Sequence, residues 1–162
     1  MMSDSAAENR PTAESWDTYW RGASIGTAYS SGGVNHPAIV AFWDEVFAAV
    51  KQHQPSPRIL DVASGSGAVV ERNHRAFGTD IPPLTCLDVS AGAVRAVTKR
   101  WAGVRGIVAD ARAIPLASGS IDVAASQFGV EYAWLEAIRE ILRLVARGGR
   151  IALLIHHRAG GI

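Results

Sequence analysis

These 162 residues hold a single cysteine, Cys86, which excludes an internal disulfide and any cysteine-based zinc cluster. It sits within the apolar run Leu84–Leu87, and that setting predicts a buried, inert thiol. An excess of one charge is missing too. Sixteen Lys and Arg against fifteen Asp and Glu leave a net +1, and no Lys/Arg run occurs, so no field gathers nucleic acid or an anionic membrane. No apolar stretch is long enough to cross a bilayer, and the polar start Met1 to Arg10 lacks the apolar core of a signal peptide. A cytoplasmic location is expected from these absences. What remains is ordinary for one globular α/β core: 48% hydrophobic and 19% charged residues.

The most informative segment that is present is Ile59-Leu60-Asp61-Val62-Ala63-Ser64-Gly65-Ser66-Gly67. An apolar run ends in an acid and opens into a small, glycine-rich turn, followed by the helix-compatible Ala68 to Phe77. Gly65 and Gly67 lie where the chain swings from strand into helix, and a residue without Cβ lets backbone approach a ligand. Asp61 then argues against a dinucleotide, whose pyrophosphate would lie beside this carboxylate. The dinucleotide fingerprint also wants a third small residue where Val70 stands. No Gly-Lys-Ser/Thr follows, which excludes a phosphate P-loop. The ligand left is cationic or a hydrogen-bond donor at that point. S-adenosylmethionine fits, with its ammonium, its sulfonium and its neutral ribose.

On Asp61 to Gly67, and on the order of segments across Trp16 to Ile155, the chain resembles the class I S-adenosylmethionine-dependent methyltransferases. The likeness is to their small-molecule branch, which includes the ubiquinone/menaquinone biosynthesis methyltransferases. One departure stands in the first motif: Ala63 occupies a position where glycine is more usual. Leu84 to Asp88 is a second strand ending in an acid, 21 residues past Gly67. In a βαβ unit that carboxylate ends beside the first strand and can accept both ribose hydroxyls. The alternative confines Asp88 to capping the next helix, Ala91 to Trp101, for which Ser90 is the natural N-cap. Gly106 to Ala111 is a third strand running into an acid. Here the resemblance implies that Asp110 accepts from the adenine amine and that the Ala111 backbone NH donates to the ring.

Ile114 to Ser120 reads as a turn-rich connector and Ile121 to Gln127 as the fourth strand, with Ser126, Gln127 and Phe128 at the methionine end of the cofactor. Asp122, at that strand's start, is read as structural. Apolar residues at helical spacing from Ala137 to Val145 predict a helix, Gly148-Gly149 its terminating turn, and Ile151 to Ile155 the last strand. The expected cofactor set is Asp61, Ala63, Gly65, Gly67, Asp88, Val89, Asp110, Ala111, Gln127 and Tyr29, with no metal. The expected fold is a doubly wound, mostly parallel Rossmann-like sheet in the order 3-2-1-4-5 with an N-terminal helical extension.

That extension divides into a disordered tail, residues 1–14, and a helical cap, residues 15–54, ahead of the cofactor domain at 55–162. Trp16, Tyr19 and Trp20 share one helical face and serve either core packing or a lid. Tyr29, in a Gly/Ser-rich loop, is positioned to close over the methionine end. Asn35 is expected to cap a helix from Pro37 to Gln52 that buries Ile39, Val40, Phe42, Trp43, Val46, Phe47 and Val50.

The sulfonium activates the methyl group, so alignment supplies most of the acceleration and a base is needed only for weak nucleophiles. Glu131 and Tyr132 are the candidate bases; His156 and His157 point to opposite faces of a strand, so at most one approaches the acceptor. The other histidines, His36, His53 and His74, are expected at the surface. No Asn-Pro-Pro-Tyr or Asp-Pro-Pro-Tyr follows the fourth strand, so a small organic acceptor is expected and a nucleic-acid one is not. The family's further helix and antiparallel strand pair have no counterpart before Ile162, which predicts a truncated chain with an exposed edge strand open to homodimerisation. Two other functions compete: a catalytically silent domain that holds S-adenosylmethionine or S-adenosylhomocysteine for a partner, and an NAD-dependent oxidoreductase, which Asp61 and Val70 oppose.

Overall fold

The computed structural model describes residues 12–22 and 35–156. In chain order the elements are α1 (Ala13–Gly22), α2 (Pro37–His53), β1 (Ile59–Val62), α3 (Ala68–Phe77), β2 (Leu84–Asp88), α4 (Ala91–Arg100), β3 (Arg105–Val108), β4 (Ile121–Gln127), α5 (Trp134–Leu144) and β5 (Val145–Leu154). A short 3-10 turn, Val130–Tyr132, precedes α5. All four strand pairings are parallel, and the order is β3-β2-β1-β4-β5, as expected. Both faces of the sheet are covered, so every residue of β1 and β2 is buried. That double cover is why these strands read as continuous apolar runs instead of alternating ones.

On one face α2, α3 and α4 bury Trp43, Phe47, Val69 and Val97 against Ile59. On the other, α5 and the connector before β4 bury Ile114, Ile141 and Leu144 against Leu60 and Val62. Glu140 and Arg143 clamp that connector: Ile114 N donates to Glu140 Oε2 at 2.8 Å, and Arg143 donates to the carbonyls of Ile114 and Leu116. Arg143 holds the Glu140 carboxyl down at about 2. Asp122 is structural, as read: its carboxylate takes both the guanidinium and the backbone N–H of Arg58, each at 2.8 Å, and stands near 2. Cys86 is fully buried, which pushes its thiol up to about 12.

Four expectations need correction. His36, not Asn35, caps α2, its Nδ1 accepting from Ala38 N, while Asn35 Oδ1 accepts from Arg72. Along α2 only Ile39, Trp43, Phe47 and Val50 are fully buried; Val40, Phe42 and Val46 flank them half-buried, because the buried stripe covers only part of the helix surface. β5 begins at Val145, directly after α5, and not at Ile151. Val145 already pairs with Ile121, and the segment carrying Gly148, at φ 79°, loops out before Arg150 pairs with Val123. Finally, α1 starts at Ala13, inside the segment expected to be disordered. Among the described residues β5 is a sheet edge, and α1 packs against α4 instead of covering it. No helix among them is long and apolar enough to cross a membrane.

Candidate functional site

The three acid-tipped strands β1, β2 and β3 lie side by side, so Asp61, Asp88 and Asp110 converge on one cavity of about 370 Å³ at the carboxyl ends of the sheet. The three carboxylates differ in setting. Asp61 is fully buried, and neither of its oxygens has a hydrogen-bond partner among the described residues. Burial, with the charge of Asp88 added, pushes its carboxyl well above the usual range. Asp88 is 5% exposed; Oδ2 accepts from Gly65 N and Oδ1 from Ser90 N, both at 2.8 Å. The tip of β2 is thereby tied both to the glycine turn and to the start of α4. Its carboxyl is raised by burial and pulled back partly by those two bonds. Asp110 is the open one: the Arg112 guanidinium grips both of its oxygens and holds its carboxyl below the usual range.

The turn after β1 is shaped by what lies over it. Gly65 has φ 48°, and a Cβ there would fall 2.3 Å from the Trp20 ring. At Gly67, φ 84°, a Cβ would fall 2.6 Å from the Trp101 ring. Both glycines are therefore required twice, for conformation and for space. Ala63 takes the left-handed conformation, φ 55°, in the place where glycine was the expected residue. Its methyl group has room because residue 129 is glycine: a Cβ on Gly129 would lie 2.6 Å from that of Ala63.

At the tip of β4, strand alternation separates Gln127 from Ser126, and Phe128 follows past the strand's end in a left-handed conformation, φ 54°. Gln127 and Phe128 line the cavity, whereas Ser126 is fully buried on the other face and does not. Phe128 N donates to Leu154 O at 2.7 Å, and the Phe128 ring stacks on His156 with 4.4 Å between centroids. Of the two candidate bases, Tyr132 lines the cavity, but burial and the Glu131 charge raise its hydroxyl above the ordinary phenol. Glu131 is outside the wall and bonds His156 through Nδ1 at 2.8 Å. Neither is set up as a strong base facing the cavity.

The aromatic stripe of α1 is not core. Trp16 and Trp20 line the cavity, Trp16 meets the Tyr132 ring at 5.2 Å, and Tyr19 is 44% exposed. Asp17, between them, receives Ser90 Oγ and, at 3.0 Å, Gly92 N, which holds α1 at the first turn of α4. Of the expected cofactor set, Asp61, Ala63, Gly65, Asp88, Val89, Asp110, Ala111 and Gln127 all line the cavity. Gly67 sits behind it, at the N-cap of α3. Tyr29 and His157 fall outside the described residues. Missed entirely were Asp17 and the bond from Trp43 Nε1 to Gln127 Oε1, at 2.6 Å.

Comparison with known proteins gives this geometry its lineage. Residues 60–153 match the family described as methyltransferase domain. The chain is 31% identical over 154 residues to malonyl-[acyl-carrier protein] O-methyltransferase of Methylococcus capsulatus, covering 88% of this chain and 53% of that protein. It is 31% identical over 123 residues to the ubiquinone/menaquinone biosynthesis C-methyltransferase UbiE of Rhizobium leguminosarum, covering 70% of this chain and 47% of that one. It thus spans about half the length of these relatives. The crystal structure of the PH0226 protein from Pyrococcus horikoshii OT3 shares the fold with TM-score 0.60 at 17% identity, covering 85% of this chain and 65% of that one. Three acid-tipped parallel strands around a glycine turn, in a match that spans more than half of the sequence, make this chain a member of the class I S-adenosylmethionine-dependent methyltransferase family.

Proposed function

We propose that the chain binds S-adenosylmethionine at the carboxyl ends of β1, β2 and β4 and transfers its methyl group to a small organic acceptor. The observation that carries this reading is Asp61. A buried carboxylate with two unpartnered oxygens, beside a glycine turn and facing a cavity, calls for a cation, and the ammonium of the methionine end supplies one. Asp88 keeps lone pairs beyond its two backbone bonds and would accept the ribose hydroxyls. Asp110 and Ala111 also line the cavity and would take the adenine amine and ring, with Arg112 fixing the Asp110 carboxylate. When bound, the cofactor supplies a sulfonium-activated methyl group.

The protein's own part is alignment and exclusion of water. Trp16 and Trp20 of α1 line the cavity, as do Tyr132, Phe128 and Gln127 beyond β1. Among the described residues neither Glu131 nor Tyr132 is a ready base facing the cavity, which suits an acceptor that is already nucleophilic. The relatives are named as an O- and as a C-methyltransferase, so both oxygen and carbon acceptors belong in the test. The silent-domain alternative has no support among these relatives, which are named as methyltransferases. Two measurements test the reading: binding of S-adenosylmethionine, and transfer of its labelled methyl group to a panel of small carboxylates and phenols. Asp88→Ala should weaken binding by about 1.5 to 3 kcal/mol. Unchanged affinity in a folded variant would contradict the ribose assignment.

A further inference from the structure

We propose that Trp43 is a positioning residue: it locks the side-chain amide of Gln127 so that Nε2 donates to the carboxylate of the methionine end of the ligand. This rests on the cofactor reading above. The indole N–H is only a donor, so its 2.6 Å contact fixes which end of the amide is oxygen and which is nitrogen. Trp43 is 0% exposed and stacks on Phe47, so the indole cannot swing away. With Oε1 spoken for, Nε2 is buried without a partner among the described residues, in a side chain that lines the cavity. Leaving such a donor unsatisfied is unfavourable, and an anionic oxygen is its strongest complement.

Sheet register places this donor relative to Asp61. Asp61 pairs with Ala125 of the adjacent strand, so Gln127, two residues on, projects to the same face. A strand spacing of about 4.8 Å and a rise of about 3.3 Å per residue set the two Cα atoms roughly 8 Å apart. One face of the sheet thus offers an acceptor that wants a cation and a donor that wants an anion, a few ångströms from each other. An ammonium and a carboxylate on one carbon match that pair. Trp43 lies in α2, outside the family match at residues 60–153, so the helical extension completes a site on the shared domain.

Calorimetric titration of the full chain with S-adenosylmethionine and with its decarboxylated form, which keeps the ammonium and the sulfonium, reads the carboxylate contact alone. Wild type should prefer the carboxylate-bearing ligand. Gln127→Leu should lose roughly tenfold or more toward S-adenosylmethionine while its affinity for the decarboxylated ligand stays within about twofold. Gln127→Glu should show a larger selective loss, by charge repulsion. Trp43→Phe should reproduce part of the selective loss, and should add none of it in the Gln127→Leu background. Equal weakening toward both ligands, or no change toward either, overturns the proposal while leaving the cofactor reading intact. Failure of wild type to bind S-adenosylmethionine at all overturns both. Should Trp43→Phe not fold, the two Gln127 variants still decide the amide's role, and Trp43→His, which keeps a ring N–H, tests its orientation.

Discussion

Ala63 holds a left-handed backbone, φ 55°, that costs an alanine about 1 kcal/mol, and it does so against a glycine that leaves space for its methyl group. The pair is coupled through contact, so Gly129→Ala should destabilise the fold by about 1 to 3 kcal/mol in urea unfolding, and Ala63→Gly in the same chain should restore much of it. Additive effects would show that the two residues do not share one space. Asp61 has a different signature. Because burial raises its carboxyl, the native state holds its proton more tightly than the unfolded chain does. Stability therefore falls as pH climbs from about 4 through the raised native value, and stays reduced above it. Unliganded Asp61→Asn should melt above wild type at neutral pH, with the gap closing toward pH 4. A lower-melting variant at neutral pH would mean that this carboxylate has a stabilising partner.

At the scale of elements, α1 is the part whose attachment is most easily tested. Its hold on α4 depends on Asp17, whose carboxyl is lowered first by the Ser90 hydroxyl and then by Gly92 N. A lowered carboxylate contributes above its unfolded value and loses that contribution as pH falls through the lowered one. Asp17→Ala should therefore release Trp16 and Trp20, read as red-shifted tryptophan emission and faster amide exchange over residues 13–22, with the sheet's exchange unchanged. Unaltered exchange in α1 would show that its aromatic contacts suffice. Elements were legible in the sequence where their signal is local: β1, α3, β2 and β4 each announce themselves by an apolar run, an acid or a glycine turn. The start of β5 was not, because it is set by pairing with β4 across a looped-out segment, and that segment's glycines read as the end of the helix. The cap of α2 was displaced by one residue for a similar reason, since Asn35 is drawn to Arg72, far along the chain.

For the whole molecule, the order of acid-tipped strands foretold both the sheet and the convergence of Asp61, Asp88 and Asp110, since parallel βαβ units deliver successive strand tips to one edge. Contacts between distant segments carried no local signature. The bond from Trp43 to Gln127 joins residues 84 apart, and the latch from Asp17 to Ser90 joins residues 73 apart. The cavity is lined in part by Trp16 and Trp20 of α1, and α2 reaches its lining residue Gln127 through Trp43; both helices precede the residues that the family match covers. The central claim is that a buried anion at the tip of β1 selects a cationic nucleoside over a phosphorylated one. Its most direct test is calorimetric titration of wild type and Asp61→Asn with S-adenosylmethionine and with NAD. Saturable binding of S-adenosylmethionine alone, weakened roughly tenfold or more by Asp61→Asn, is the predicted result; wild-type affinity in the variant, or binding of NAD in its place, would contradict it.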